Sequence, residues 1–145
     1  MIGSGRRHAA LVSISLLAMG GCGPSLDEAQ DAWQRAHPAD YVFEYQRVCV
    51  CPRSGAWWRV TVRRDSVVEI QQLDSTGATP YSPEGSHPTL TQLFDGIRAF
   101  KLRPHTWTKV SYDSKWHFPN EASGDATDRI GNGWHFTVRS FQPLP

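Results

Sequence analysis

Three stretches of this chain alternate apolar and polar residues with a period of two, and that pattern confines it to a fold built on a half-wet antiparallel sheet. Tyr41, Phe43 and Tyr45 alternate with Val42 and Glu44. Trp58, Val60 and Val62 alternate with Arg59, Thr61 and Arg63, and Trp134, Phe136 and Val138 repeat the pattern near the end. Successive side chains of a strand point to opposite faces. Each run therefore puts its aromatic and branched residues on one side and leaves the other wet. The expected strands are Tyr41 to Cys51 (stopped by Pro52), Trp57 to Arg63 and Val67 to Gln72, joined by a turn at Arg64-Asp65-Ser66. Trp107 to Tyr112, with Val110 and Tyr112 inward, makes a fourth. A short strand is expected after Pro119, and a last one after the Asn132-Gly133 turn signal.

Two segments carry a different period. Ser25 to Ala36 reads as a helix with Ala29, Ala32, Trp33 and Ala36 on one face. Ser25 and Glu28 form a capping box, in which each satisfies a backbone N–H at the helix start. Thr89 and Gln92 repeat that device ahead of a stripe of Leu90, Leu93, Phe94 and Ile97, a helix running to Phe100. Residues 74–88 hold Gly77, Pro80, Pro83, Gly85 and Pro88 and read as a loop. The order is helix, three strands, helix, then two or three strands. It predicts an α+β fold of one domain, an antiparallel sheet with two helices packed on one face. An all-β fold is the alternative.

The start of the chain specifies an address. Arg6 and Arg7 precede Ala9 to Met19, a run of 11 residues without charge, and then Gly20, Gly21 and Cys22. A basic head, an apolar run and a small-residue cleavage site make a secretory signal. The run is short of the about 20 apolar residues that span a bilayer. The Met-Gly-Gly-Cys ending resembles the lipobox of bacterial lipoproteins, with Met19 where Leu is usual. That resemblance implies diacylglycerol on the Cys22 thiol and cleavage before Cys22. An ordinary signal peptide cut nearby is the alternative. The expected organisation is a lipoprotein signal peptide at 1–21, a lipidated Cys22 with a short tether at 22–28, and an α+β domain at 29–145.

Removing residues 1–21 leaves 124 residues, enough for one domain. It takes Arg6 and Arg7 from the 15 basic residues and nothing from the 14 acidic ones, so the mature chain has 13 against 14 and a formal charge of −1. Such a chain has no basic excess to hold nucleic acid. Six tryptophans argue for a packed core and against disorder.

Three cysteines are an odd number for a secreted chain. Lipidation of Cys22 leaves Cys49 and Cys51 as a pair, in a compartment that permits disulfides. In a straight strand their Cα atoms would stand about 6.5–7 Å apart, at the edge of the roughly 4.4–6.8 Å that a disulfide accepts. A local bend would bring them into range. A structural disulfide, two packed thiols, and metal or thiol-exchange chemistry all fit the spacing.

Other chemistry is sparse. The chain has no G-x-S-x-G, no H-E-x-x-H and no phosphate-cradling Gly-rich loop, so no catalytic residue is assigned. His37, His87, His105, His117 and His135 are scattered and read as surface or hydrogen-bonded side chains. Asp125, Asp128 and Asn132 bunch in a Gly-rich segment, but their spacing matches no EF-hand, and a solvated turn is expected. No resident metal or other cofactor is expected. Trp57-Trp58 puts one indole on each face of a strand. Trp58 is expected in the core. Trp57, with Arg59, Arg63 and Arg47, is a candidate binding surface, because Trp and Arg are enriched at hot spots; cover by a helix or loop is the alternative.

Several landmarks fall in order: a Tyr-rich strand ending in Cys49-x-Cys51, the Trp58 to Ile70 hairpin, Leu93-Phe94 and Ile97, then Val110-x-Tyr112-Asp113, Trp116 to Pro119, and Asp125. Over about residues 30–142 this resembles a family of small bacterial lipoproteins classed only as a domain of unknown function. That family usually carries Gly where this chain has His117. The resemblance implies an envelope location and a compact α+β domain, and no activity. The resulting expectation is a lipid-anchored bacterial envelope protein, facing outside the cytoplasm on the periplasmic side, with the outer membrane preferred. It would be a non-enzymatic binding or accessory module that meets an envelope partner through its sheet. The alternative is a thiol redox or soft-metal-handling protein using Cys49 and Cys51.

Overall fold

The computed structural model describes residues 23–51, 53–73, 87–128, 131 and 133–145. The signal segment, Cys22, most of the 74–88 loop and Asn132 lie outside the described residues.

The two capping boxes start the two helices. In α1 (Leu26–Ala36) the Ser25 hydroxyl accepts from the Glu28 N–H, and the Glu28 carboxylate accepts from the Ser25 N–H. Thr89 and Gln92 do the same for α2 (Leu90–Lys101). His37-Pro38 ends α1 in extended backbone, as a residue before proline favours. The expected α2 stripe of Leu90, Leu93, Phe94 and Ile97 is buried, with Phe100 added one turn on. The α1 face is shifted. Leu26, Ala29 and Trp33 are buried, Ala32 is half-buried and Ala36 is exposed. Leu26 is larger and more apolar than either outer alanine, so it turns the helix toward itself.

The strands are β1 (Asp40–Val48), β2 (Trp57–Arg63), β3 (Ser66–Gln72), β4 (Thr106–Tyr112), β5 (Pro119–Ala126) and β6 (Trp134–Pro143). They form one six-stranded antiparallel sheet in the order β3-β2-β1-β6-β5-β4. Each half of the chain is a helix followed by a three-strand meander, and the halves join where β6 returns beside β1. Both helices lie on the face that carries Tyr41, Phe43, Tyr45, Val60, Val62, Phe136 and Val138, all buried. The fold is thus the expected α+β arrangement, one sheet with two helices on one face.

The core is aromatic. Trp33 meets Tyr41, Phe118 and Phe141 edge-on at centroid distances of 5.6–6.0 Å. Its indole N–H donates to the Thr91 hydroxyl at 3.1 Å, tying α1 to α2. The buried Tyr41 hydroxyl accepts from the Leu90 N–H at 3.2 Å, satisfying a donor that a helix start leaves orphaned. Burial pushes the Tyr41 phenol up to about 12, so it stays neutral. Between β4 and β5, His117 adopts φ 65°, the left-handed backbone that glycine favours. Asp113 holds that turn by accepting from the N–H groups of Lys115 and Trp116.

Candidate functional site

Strand β1 ends three residues earlier than the alternation suggested, at Val48 rather than Cys51. The chain must turn here to bring β2 back alongside, and one backbone and two side-chain hydrogen bonds fix the turn. The Gly55 N–H donates to the Arg47 carbonyl at 2.8 Å, the Gln46 amide to the Gly55 carbonyl at 2.7 Å, and the Cys49 N–H to the Ser54 hydroxyl at 3.0 Å. Arg53 and Gly55 both take positive φ in it. Cys49 and Cys51 therefore lie in a bend, half-buried, as a close pair with Cα atoms 5.2 Å apart and their sulfurs in contact.

This bend forms one rim of a cleft of about 710 Å³ between α2 and the ends of β1 and β6. Tyr45, Phe136 and Trp134 from the sheet, and Leu93, Ile97 and Phe100 from α2, give it apolar walls, and Gln92 and Thr106 join the polar groups that make its lining nearly as polar as apolar. Arg47, Cys49, Val50, Arg103 and Asp128 edge the opening. The volume falls within the roughly 300–1,000 Å³ of small-ligand sites. Two glycines shape the space. Gly96 of α2 is exposed at the cleft, and a Cβ on it would meet no described residue within 4 Å. At Gly124 a Cβ would sit 2.8 Å from the Phe100 ring and 2.9 Å from the Trp134 indole. Those two rings meet edge-on at 5.3 Å, directly over the bare backbone of β5. Beside the cleft, His87 packs against the Trp58 ring at 4.7 Å and against Tyr45. Burial, and secondarily Arg53, hold its pKa below the usual histidine value. Burial also pushes the Tyr45 phenol up to about 12.

The candidate binding residues Trp57, Arg59 and Arg63 stand on the opposite, helix-free face. Glu44 joins two arginines there: Arg59 reaches Oε1 at 3.1 Å and Arg139 reaches Oε2 at 2.8 Å. The Arg139 guanidinium covers the Trp57 ring at 3.6 Å. Trp57 and Arg59 thus belong to one cluster. Arg63 stands at the other end of β2, paired with Asp40 at 2.7 Å. Arg47 is not part of this surface; it shares the inner face with Tyr45 and edges the cleft.

Of the histidines, His37 stacks on Trp33 and His135 pairs with Glu121 at 3.1 Å. Asp125 lies in strand β5, opposite Trp107 of β4, and not in the expected turn; its carboxylate accepts from the Ala126 N–H. Among the described residues no group of three or more His, Cys, Asp or Glu could hold a metal ion, and no helix is long and apolar enough to cross a membrane. The sequence reading missed Glu44 and Arg139, the cleft, and Trp107, which is 49% exposed on the outer face. Only the spacing of Phe100, one turn after Ile97, pointed to the cleft wall.

These features define a small α+β domain with an aromatic cleft at one end of its covered sheet face and a self-paired charged surface on the other. The chain belongs to a family of unknown function, DUF6174, whose profile matches residues 25–143. No curated protein and no solved structure gives a match.

Proposed function

We propose that this chain is a lipid-anchored bacterial envelope protein that works as a non-enzymatic binding module, with the cleft between α2 and the sheet as its binding site. The cleft carries this reading: it is concave, lined by aromatic and aliphatic side chains, and edged by a few polar groups, the usual make-up of a ligand site. The outer face supports it less well. Arg59, Arg139 and Arg63 already have carboxylate partners there. A partner covering them would have to desolvate paired charges, which offsets much of the gain. The address rests on the basic head, the apolar run and Cys22. Only Gly23 and Pro24 separate Cys22 from the Ser25 cap of α1, so a lipid on Cys22 would hold the domain against the membrane surface.

The test uses a fluorescent anilinonaphthalene sulfonate probe on the folded protein. The wild type is expected to bind it with a saturable signal. Gly96→Phe, which places a ring in the empty space, should lose that signal while its melting temperature holds or rises. Equal probe binding by both proteins would show that the cleft is not the site.

A further inference from the structure

The bend at the end of β1 presents Cys49 and Cys51 unequally. Cys49 and Val50 line the cleft; Cys51 does not. Val50 between them is 87% exposed, and both cysteines are half-buried. Arg47 and Arg53 flank the pair in sequence and are exposed; Arg47 lines the same cleft as Cys49, whereas the Arg53 guanidinium lies over the Trp58 ring at 5.7 Å. Arg47 has no carboxylate within ion-pair distance among the described residues. Among the described residues, Asp128 is the one acidic side chain that lines the cleft. Neighbouring cationic groups favour thiolates, and partly exposed cysteines beside such groups are the reactive kind. The bend does not depend on a sulfur–sulfur bond: the contacts from Gln46, Gly55 and Ser54 already close it. A bridge across two residues also constrains the unfolded chain little. Its presence at the mouth of an apolar cleft thus has no structural task to account for it.

We propose that Cys49 and Cys51 form an exchange-active disulfide, whose substrate is a cysteine-bearing polypeptide that seats an apolar side chain in the adjoining cleft. A substrate thiolate attacks the Cys49 sulfur from the cleft side. A substrate–Cys49 disulfide forms, the Cys49–Cys51 bond breaks, and its electron pair leaves on Cys51 as a thiolate. A second thiolate of the same polypeptide then attacks its own sulfur in the mixed disulfide and releases Cys49. The substrate loses two electrons and closes a disulfide; the pair gains them. The two substrate thiol protons go to solvent or to the released thiolates. The same steps in reverse let the reduced pair open a substrate disulfide. The choice of an apolar substrate residue rests on the cleft reading given above, whereas the exchange itself does not.

The experiment takes the full chain carrying Cys22→Ser, so that two thiols remain. Reduced Cys51→Ser and Cys49→Ser variants are mixed with oxidised glutathione, or with a peptide disulfide bearing Phe beside its cysteine. The Cys51→Ser protein, with Cys49 free, is expected to form mixed disulfide at least tenfold faster than the Cys49→Ser protein. It should favour the Phe peptide over glutathione, and Gly96→Phe should remove that preference. Equal rates for the two variants overturn the proposal. The expected asymmetry without any Phe preference leaves the exchange standing and sinks the cleft reading. Should a variant misfold, the protein with both cysteines is treated with limiting reduced glutathione, acid-quenched and mapped. Glutathione on Cys49 supports the assignment. Glutathione mainly on Cys51, or a pair that millimolar glutathione leaves intact for hours, overturns it.

Discussion

Phe94→Ala tests the architecture at its centre. Phe94 is fully buried in the α2 stripe, and its ring stacks near Tyr112 of β4 at 6.4 Å, so the helix is held to the distal half of the sheet partly through it. Truncating a buried Phe costs about 3–5 kcal/mol, from lost transfer free energy and the cavity left behind. Leu90, Leu93 and Ile97 sit on the same stripe and are themselves packed, so the hole cannot close by a simple shift, and the upper half of that range is expected. Single domains are stable by only about 5–15 kcal/mol. At roughly 3–5 °C per kcal/mol for a chain of this size, the melting temperature should fall by ~12–25 °C. Urea unfolding followed by circular dichroism should show a lower midpoint at an unchanged slope. Leu102→Ala, at an 82% exposed position just past the same helix, is the control and should melt like wild type. If Phe94→Ala also melts within two degrees of wild type, α2 does not pack as described and the cleft that depends on it is lost as well.

Gly124→Ala should destabilise by about 1–3 kcal/mol, as overpacking does, and should alter Trp134 fluorescence, because the added carbon runs into both Phe100 and Trp134; an unchanged spectrum would contradict the close approach. The Glu44 carboxyl is held below its ordinary value of 4.5, first by the Arg139 hydrogen bond, which outweighs the opposing effect of burial, and further by Arg59 and Ser140. The stability it contributes is fully present above pH ~4.5 and lost as pH falls through the lower folded value. Glu44→Gln should therefore flatten the fall in urea midpoint between pH 5 and pH 3, and an identical fall in both proteins would exclude Glu44 as its source. Cys22→Ser should move the protein from the membrane fraction to soluble or unprocessed fractions; wild-type protein with no N-terminal lipid by mass spectrometry would refute the anchor.

Local features of this chain were legible because they are set by neighbours in sequence. Both capping boxes, the α2 stripe, and the inward Trp58, Val60 and Val62 depend on spacings of two to four residues. The α1 face shifted because the expected stripe begins at Ala29 and leaves out Leu26, which lies one position inside the Ser25 cap. The end of β1 was misjudged because Cys49 and Cys51 extend the alternation of Tyr41 to Tyr45. What stops the strand is a set of hydrogen bonds made with Ser54 and Gly55, which a period cannot register. The Glu44 cluster was beyond sequence reading for a different reason. Arg139 is 95 residues from Glu44 and meets it only because β6 returns beside β1. The cleft likewise needs Tyr45, Phe100 and Trp134 to converge from three elements.

The cleft is also a place where the fold gives up stability it could have kept. Gly96 sits inside α2 with helical neighbours on both sides and no positive φ. Gly in a helix interior is less favourable than Ala by roughly 0.8–1.0 kcal/mol. No described residue lies within 4 Å to oppose a Cβ there, so no packing demand among them explains the glycine. An empty position over an aromatic wall is what a site needs when a ligand group must lie against the helix. Gly96→Ala should therefore raise stability by about 0.5–1 kcal/mol, seen as a higher urea midpoint with an unchanged slope, and should weaken probe binding less than Gly96→Phe does. The ordering decides the matter. If Ala stabilises and the bulkier residue blocks the probe in proportion to its volume, the glycine keeps space for an occupant. If Gly96→Ala destabilises, the position is not free, and Gly96 is instead meeting a packing need of α2.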